Sequence, residues 1–195
     1  ILTAISVAFV YFVRTIGMSL VLACLIYLLY KKRWKELVVL AVIVGIFIIP
    51  WQIRNSQVGG QASGYFQQFF AKNPYDPELG NITLSEYLSR VIANFKLYTF
   101  YVIPQILFPA INSGVLLNIT GFVSLVLLGI GYIIKIKGKT FGLWELYLVF
   151  FMGITLSWPQ VWSGDRFLIP MIPFLLYYIL IGLKHFSSWL KFKTL

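Results

Sequence analysis

Apolar residues gather into six runs along the chain: 1–13, 16–30, 37–50, 114–134, 142–157 and 167–183. Short basic or polar turns separate them, apart from one long mixed segment, 51–113. A helix that crosses a bilayer needs about 20 apolar residues, with a range of about 17–25. Several runs are shorter between their breakers. As spans they must extend into interfacial Tyr and Trp or lie tilted. The pattern predicts an all-α, polytopic transmembrane protein of about six membrane helices, plus an amphipathic external helix. It divides into membrane helices over 1–50, an external segment over 51–113, and membrane helices with a cytoplasmic tail over 114–195.

The external segment has its own local signals. Residues 56–64, rich in Gly, Ser and Gln, read as a flexible loop. Asn73-Pro74-Tyr75-Asp76-Pro77 is turn chemistry. Thr83-Leu84-Ser85-Glu86 is a capping box that opens a helix. Leu84, Tyr87, Leu88, Val91, Ile92, Phe95 and Tyr98 then repeat at helical spacing, with Ser85, Glu86, Ser89, Arg90, Asn94 and Lys96 mostly on the other face. Such a helix lies along the outer membrane surface or packs on other external loops. Pro104 and Pro109 interrupt the chain before the next run.

Composition agrees with the pattern. Of 195 residues, 59% are hydrophobic and 11% charged, against about 25% charged in soluble domains. Mean hydropathy is +0.85. A soluble chain of this length leaves roughly a third of its unfolded surface exposed, which excludes an ordinary soluble enzyme and a disordered chain. Cys24 stands alone, so no internal disulfide framework is available. The chain opens directly in an apolar run at Ile1, with no charged n-region or cleavage site. It reads as a piece of a longer protein.

Charge changes the picture by its placement. Sixteen Lys and Arg stand against six Asp and Glu, a formal net charge of +10. Lys31, Lys32, Arg33 and Lys35, then Lys135, Lys137 and Lys139, then Lys184, Lys191 and Lys193 fall on one side if each run crosses once. Arg14, Arg54, Lys72, Arg90, Lys96 and Arg166 fall on the other side. They mix there with Asp76, Glu78, Glu86 and Asp165. The positive-inside rule puts the dense clusters and the C-terminus in the cytoplasm. The basic clusters are therefore topology marks, with membrane lipids as partners and no nucleic acid.

Few residues carry candidate chemistry. His185 is the only histidine and has no ligand-spaced partners, so no metal site and no cofactor is evident. Asn81-Ile82-Thr83 and Asn118-Ile119-Thr120 match the glycosylation pattern, a signal that arises often by chance. The informative residues are Arg14, Arg54 and Arg166, which come from three separate turns on the outer side, with Trp51, Trp158 and Trp162 beside them in sequence. Ionisable groups at that depth are costly and are functional candidates. A guanidinium is planar, permanently charged and able to grip phosphate with two N–H groups. The alternatives are head-group contacts or a local pair between Arg166 and Asp165. Pro170 and Pro173, at the start of the last run, either shape a site or sit tolerated at a helix start.

Pro50-Trp51-Gln52-Ile53-Arg54-Asn55 resembles the ending of a membrane helix in bacterial GT-C glycosyltransferases of the protein-mannosyltransferase-like group. That group includes dolichyl-phosphate-mannose mannosyltransferases and the lipid A aminoarabinose transferase. Arg14-Thr15-Ile16-Gly17, with Lys31-Lys32-Arg33-Trp34 after the next apolar run, is similar to the segment before it. Gly164-Asp165-Arg166-Phe167-Leu168-Ile169-Pro170-Met171-Ile172-Pro173 is similar to the stretch opening a late helix. The resemblance covers most of the chain as a framework but about twenty residues in detail.

It implies the C-terminal membrane part of an enzyme that moves a sugar from a polyprenyl-phosphate donor, in a bacterial inner membrane. The acceptor would be a glycan, lipid or protein on the outer face. It implies Arg54 and Arg166, and less directly Arg14, as ligands of the donor phosphate. The family's key acidic residue lies in a first external loop. Asp76, Glu78, Glu86 and Asp165 do not match its position, and no catalytic residue is carried over. Two other readings stay open. One is a transporter or flippase for a lipid-linked saccharide, which would bind at the bilayer midplane and often show repeated halves. The other is a non-catalytic membrane scaffold, whose arginines would face lipid.

Overall fold

A computed structural model describes residues 1–58, 65–111, 113–138 and 142–193. The reading of 56–64 as a loop falls outside the described residues from Gly59 onward, as does the basic position Lys139. Among the described residues the fold is all-helical, with one isolated antiparallel bridge between Ala71 and Asn81.

The helices are α1 (Leu2–Val13), α2 (Met18–Tyr30), α3 (Trp34–Val58), α4 (Tyr65–Phe70), α5 (Leu84–Leu97), α6 (Ile103–Leu107), α7 (Gly114–Lys137), α8 (Leu143–Ser157), α9 (Asp165–Leu168) and α10 (Ile172–Lys193). Each of the six apolar runs has become helix. By length and composition, three helical stretches can cross a membrane: Trp34–Gln57, Gly114–Lys137 and Asp165–Trp189. The apolar helices Leu2–Val13, Thr15–Tyr30 and Leu143–Ser157 are shorter than the roughly 17–25 residues a span uses.

The helix ends follow from local chemistry. Lys32 closes α2 in the left-handed region, at φ 57°. The Arg33 and Lys32 amides donate to the Leu28 and Leu29 carbonyls at 2.9 and 3.0 Å, the two bonds of a Schellman turn. α3 does not close at Pro50, where the sequence pattern places its end; it continues to Val58 with Pro50 inside it. A proline in apolar surroundings removes one amide donor, and the following turns still satisfy their own backbone. At the start of α8, the Glu145 carboxylate accepts from the Gly142 amide at 2.8 Å.

The chain forms two compact units, each assembled from two separate stretches. The first comprises 1–91 and 142–162. Its apolar core gathers Ala4, Val7, Val21 and Leu40 from α1, α2 and α3, and α8 packs along α2. The second comprises 92–141 and 163–195. There α7 and α10 lie backbone to backbone. A methyl group on Gly131 would overlap the Tyr178 carbonyl oxygen, and one on Gly182 would overlap that of Leu127. Small residues permit this close approach between apolar helices.

α5 keeps the apolar stripe that the sequence predicts, while two of its polar residues are placed differently. Leu84, Leu88, Ile92 and Phe95, spaced by four, four and three, are exposed at 76%, 54%, 56% and 40%. Tyr98, on the same predicted stripe, is buried, and Tyr87 and Val91 are half-buried. Arg90 and Asn94, expected on the polar outer face, are buried. These two side chains turn inward because hydrogen-bond partners wait there, carbonyls for Arg90 and the Ser163 hydroxyl for Asn94, while Ser85, Ser89 and Lys96 stay exposed.

Candidate functional site

Arg90 shows how the acceptors work. Its two terminal nitrogens donate to the carbonyl oxygens of Phe69, at 2.8 Å, and Ala71, at 2.6 Å. Those carbonyls belong to the end of α4, so the guanidinium caps that helix and pins α5 to it. Burial pushes the Arg90 pKa down from its ordinary value, yet a guanidinium stays charged at neutral pH. This is a structural cation.

Glu86 is also committed. One carboxylate oxygen accepts from the Thr83 amide at 2.7 Å, and the Glu86 amide donates to the Thr83 hydroxyl at 3.3 Å, closing the capping box predicted from sequence. Its other oxygen pairs with Lys72 at 2.8 Å. The Lys72 ammonium, followed by the Thr83 donors, holds the Glu86 pKa down at about 2. A carboxylate so held is a poor general base near neutral pH. Asn73 forms its expected turn, accepting from the Tyr75 amide at 3.0 Å.

The predicted arginines sit differently. In the first unit the end of α1 meets α3. Tyr11 is hydrogen-bonded to Gln52, and Phe12 meets Trp51 edge to face at 5.8 Å. These contacts tie the Pro50–Asn55 motif to the turn that carries Arg14, which is exposed at the C-terminus of α1. Arg54 is exposed and lies over the Trp51 ring at 5.7 Å. Trp158 and Trp162, expected beside the arginines, pack elsewhere. Trp158 meets Phe69 at 5.9 Å and Trp162 meets Tyr75 at 5.5 Å, where their large apolar faces find other rings.

Arg166 belongs to the second unit. Its guanidinium lies over Phe167 at 5.2 Å. Asp165 accepts from the Arg166 backbone amide at 2.8 Å; the two side chains form no ion pair. Pro170 lies in a short 3₁₀ turn, Ile169–Met171, between α9 and α10. Pro173 opens α10, so both prolines shape the turn that carries Arg166.

The residues that fix this turn carry no sequence signal. Tyr98, in a π-turn over Tyr98–Val102, accepts from the Gly164 amide at 3.3 Å and faces its carbonyl at 3.4 Å. Ser163 donates to the Asn94 side-chain oxygen at 3.1 Å. Burial pushes the Tyr98 pKa up, so its hydroxyl stays protonated and can both donate and accept. The partners are 66 and 69 residues apart, beyond any local spacing rule.

Comparison with protein-family models, curated proteins and solved structures returns no match.

Proposed function

We propose that this chain is the membrane part of a glycosyltransferase that moves a sugar from a polyprenyl-phosphate donor to an acceptor on the outer face. Arg54 and Arg166, with Arg14, serve the donor phosphate. One observation supports this most: the Arg54 and Arg166 guanidiniums are exposed and, among the described residues, donate to no acceptor, each resting on an aromatic ring instead. A ring supports a cation from one face and leaves its edge donors available to a phosphate.

In the proposed reaction the acceptor oxygen attacks the anomeric carbon as the bond to phosphate breaks. The polyprenyl phosphate leaves with the bonding pair. Guanidiniums at that phosphate stabilise charge as it develops. Proton removal from the acceptor requires a carboxylate, which the resemblance assigns to the family's first external loop. Glu86 is unsuited, since its oxygens serve Thr83 and Lys72. The accompanying topology is six crossings of a bacterial inner membrane, with the basic loops and C-terminus cytoplasmic.

The test is transfer from a polyprenyl-phosphate sugar by the full-length protein carrying Arg54→Ala or Arg166→Ala. Turnover is expected to fall at least about 100-fold in each. Wild-type turnover in both variants overturns the phosphate role.

A further inference from the structure

A cleft of about 620 Å³ opens in the second unit, within the roughly 300–1,000 Å³ typical of small-molecule sites. One wall is the π-turn and α6, which contribute Tyr101, Val102, Gln105 and Ile106. The other is the Ser163-Gly164-Asp165 turn, held in place by Tyr98 and Asn94.

Its polar groups are of a particular kind. Tyr101 is half exposed and its hydroxyl has no partner among the described residues. The Gln105 amide, with two donors and an acceptor, likewise has none. Asp165 commits one carboxylate oxygen to the Arg166 amide and keeps the other. Ser163 donates to Asn94 and also meets the Tyr98 hydroxyl, so it fixes the wall and is not counted among the ligand-facing groups. Between these groups the lining is apolar, from Val102 and Ile106.

A carboxylate in the wall disfavours an anion. A lone carboxylate is too little for a metal ion. What suits the set is a neutral ligand with several hydroxyls on an apolar ring face. Its hydroxyls would donate to Asp165 and exchange bonds with Gln105, while its C–H face would cover Tyr101. We propose that this cleft binds the saccharide portion of a substrate. The proposal rests on the transferase reading only in taking the ligand to be a glycan; the cleft itself is defined by its own lining.

The experiment uses the full protein in lipid nanodiscs and saturation-transfer NMR. The probes are the methyl glycosides of a hexose and a pentose, with glycerol as a small-polyol control. Saturation is expected to reach the glycosides and not glycerol. Gln105→Ala, Asp165→Asn and Tyr101→Ala are each expected to weaken glycoside binding about tenfold or more, equivalent to about 1.4 kcal/mol. Tyr101→Phe, which keeps the ring, should retain most of the binding. These side chains line an open cleft, and unchanged melting temperatures of the variants would exclude misfolding as the cause.

No glycoside binding by the wild type, equal binding of glycerol, or wild-type binding in all three truncated variants overturns the proposal. Glycoside binding that is sensitive to these variants, in a protein that transfers no sugar, supports the cleft and defeats the transferase reading. Transfer with no binding at the cleft does the reverse.

Discussion

Arg90, in the corner between α4 and α5, donates to two backbone carbonyls at 2.8 and 2.6 Å and is buried. Arg166, in the turn before α10, lies exposed over Phe167 and gives its guanidinium to no acceptor among the described residues. Both read as outer-side cations in the sequence. The difference is where the N–H donors are satisfied. A guanidinium that ends on carbonyls of its own chain holds the fold; one with its donors open is available to a ligand. The contrast separates a cation held within the fold from one whose donors are open, and each side of it can be broken separately.

The largest expected effect belongs to the open arginines. Arg166→Ala and Arg54→Ala should each reduce sugar transfer at least about 100-fold, equivalent to about 2.7 kcal/mol of barrier, and leave the melting temperature in place. A large loss of melting temperature in Arg166→Ala would erase the contrast, because that arginine would then be structural too. Next comes Arg90→Ala. It leaves the Phe69 and Ala71 carbonyls facing an unfilled space and should lower stability by about 2–3 kcal/mol in detergent unfolding. Arg90→Lys should recover only part of that, since an ammonium has no planar fork to reach both oxygens.

A smaller effect is expected at the Arg166 turn itself. Tyr98→Phe removes the hydroxyl that binds Gly164 and should lower stability by about 1 kcal/mol, measured the same way. The smallest is a pH effect at the fixed corner. The Glu86 pKa is lowered from 4.5 to about 2. A depressed carboxylate stabilises above its unfolded pKa and loses that contribution as pH falls through the folded value. The melting temperature should therefore be flat on this account above about pH 5 and decline from pH 4.5 toward 2. Glu86→Gln should remove that part of the slope. An equal slope in Glu86→Gln would show that the Lys72 pair has no part in it.

Much of the fold was legible because its causes are local. The Thr83–Glu86 box and the Asn73 turn need only three or four consecutive residues, and both formed as expected. Apolar runs became helices because a helix satisfies its backbone hydrogen bonds within one segment, wherever that segment is withdrawn from water. The end of α3 was misplaced because proline is a strong breaker in water and a weaker one among apolar neighbours. Arg90 and Asn94 were misassigned for a different reason. Helical periodicity ranks side chains by polarity and is blind to partners on other segments, here the accepting carbonyls of Phe69 and Ala71 and the donating hydroxyl of Ser163. Of the site, the arginines were visible as residue types, whereas the Gln105–Asp165 cleft depends on a π-turn that leaves no spacing signature.

The two compact units are threaded through each other along the chain: residues 142–162 of the first lie between the two halves of the second. A ribosome delivers these helices in order, so α7 emerges well before α10, the helix whose Gly182 fits against it. In the interval α8 must leave α7 and find α2, made more than a hundred residues earlier. The face of α7 around Gly131 therefore waits without this partner until α10 has been made. During that wait an apolar face stands open to other contacts, so the order of synthesis itself constrains how this helix pair forms.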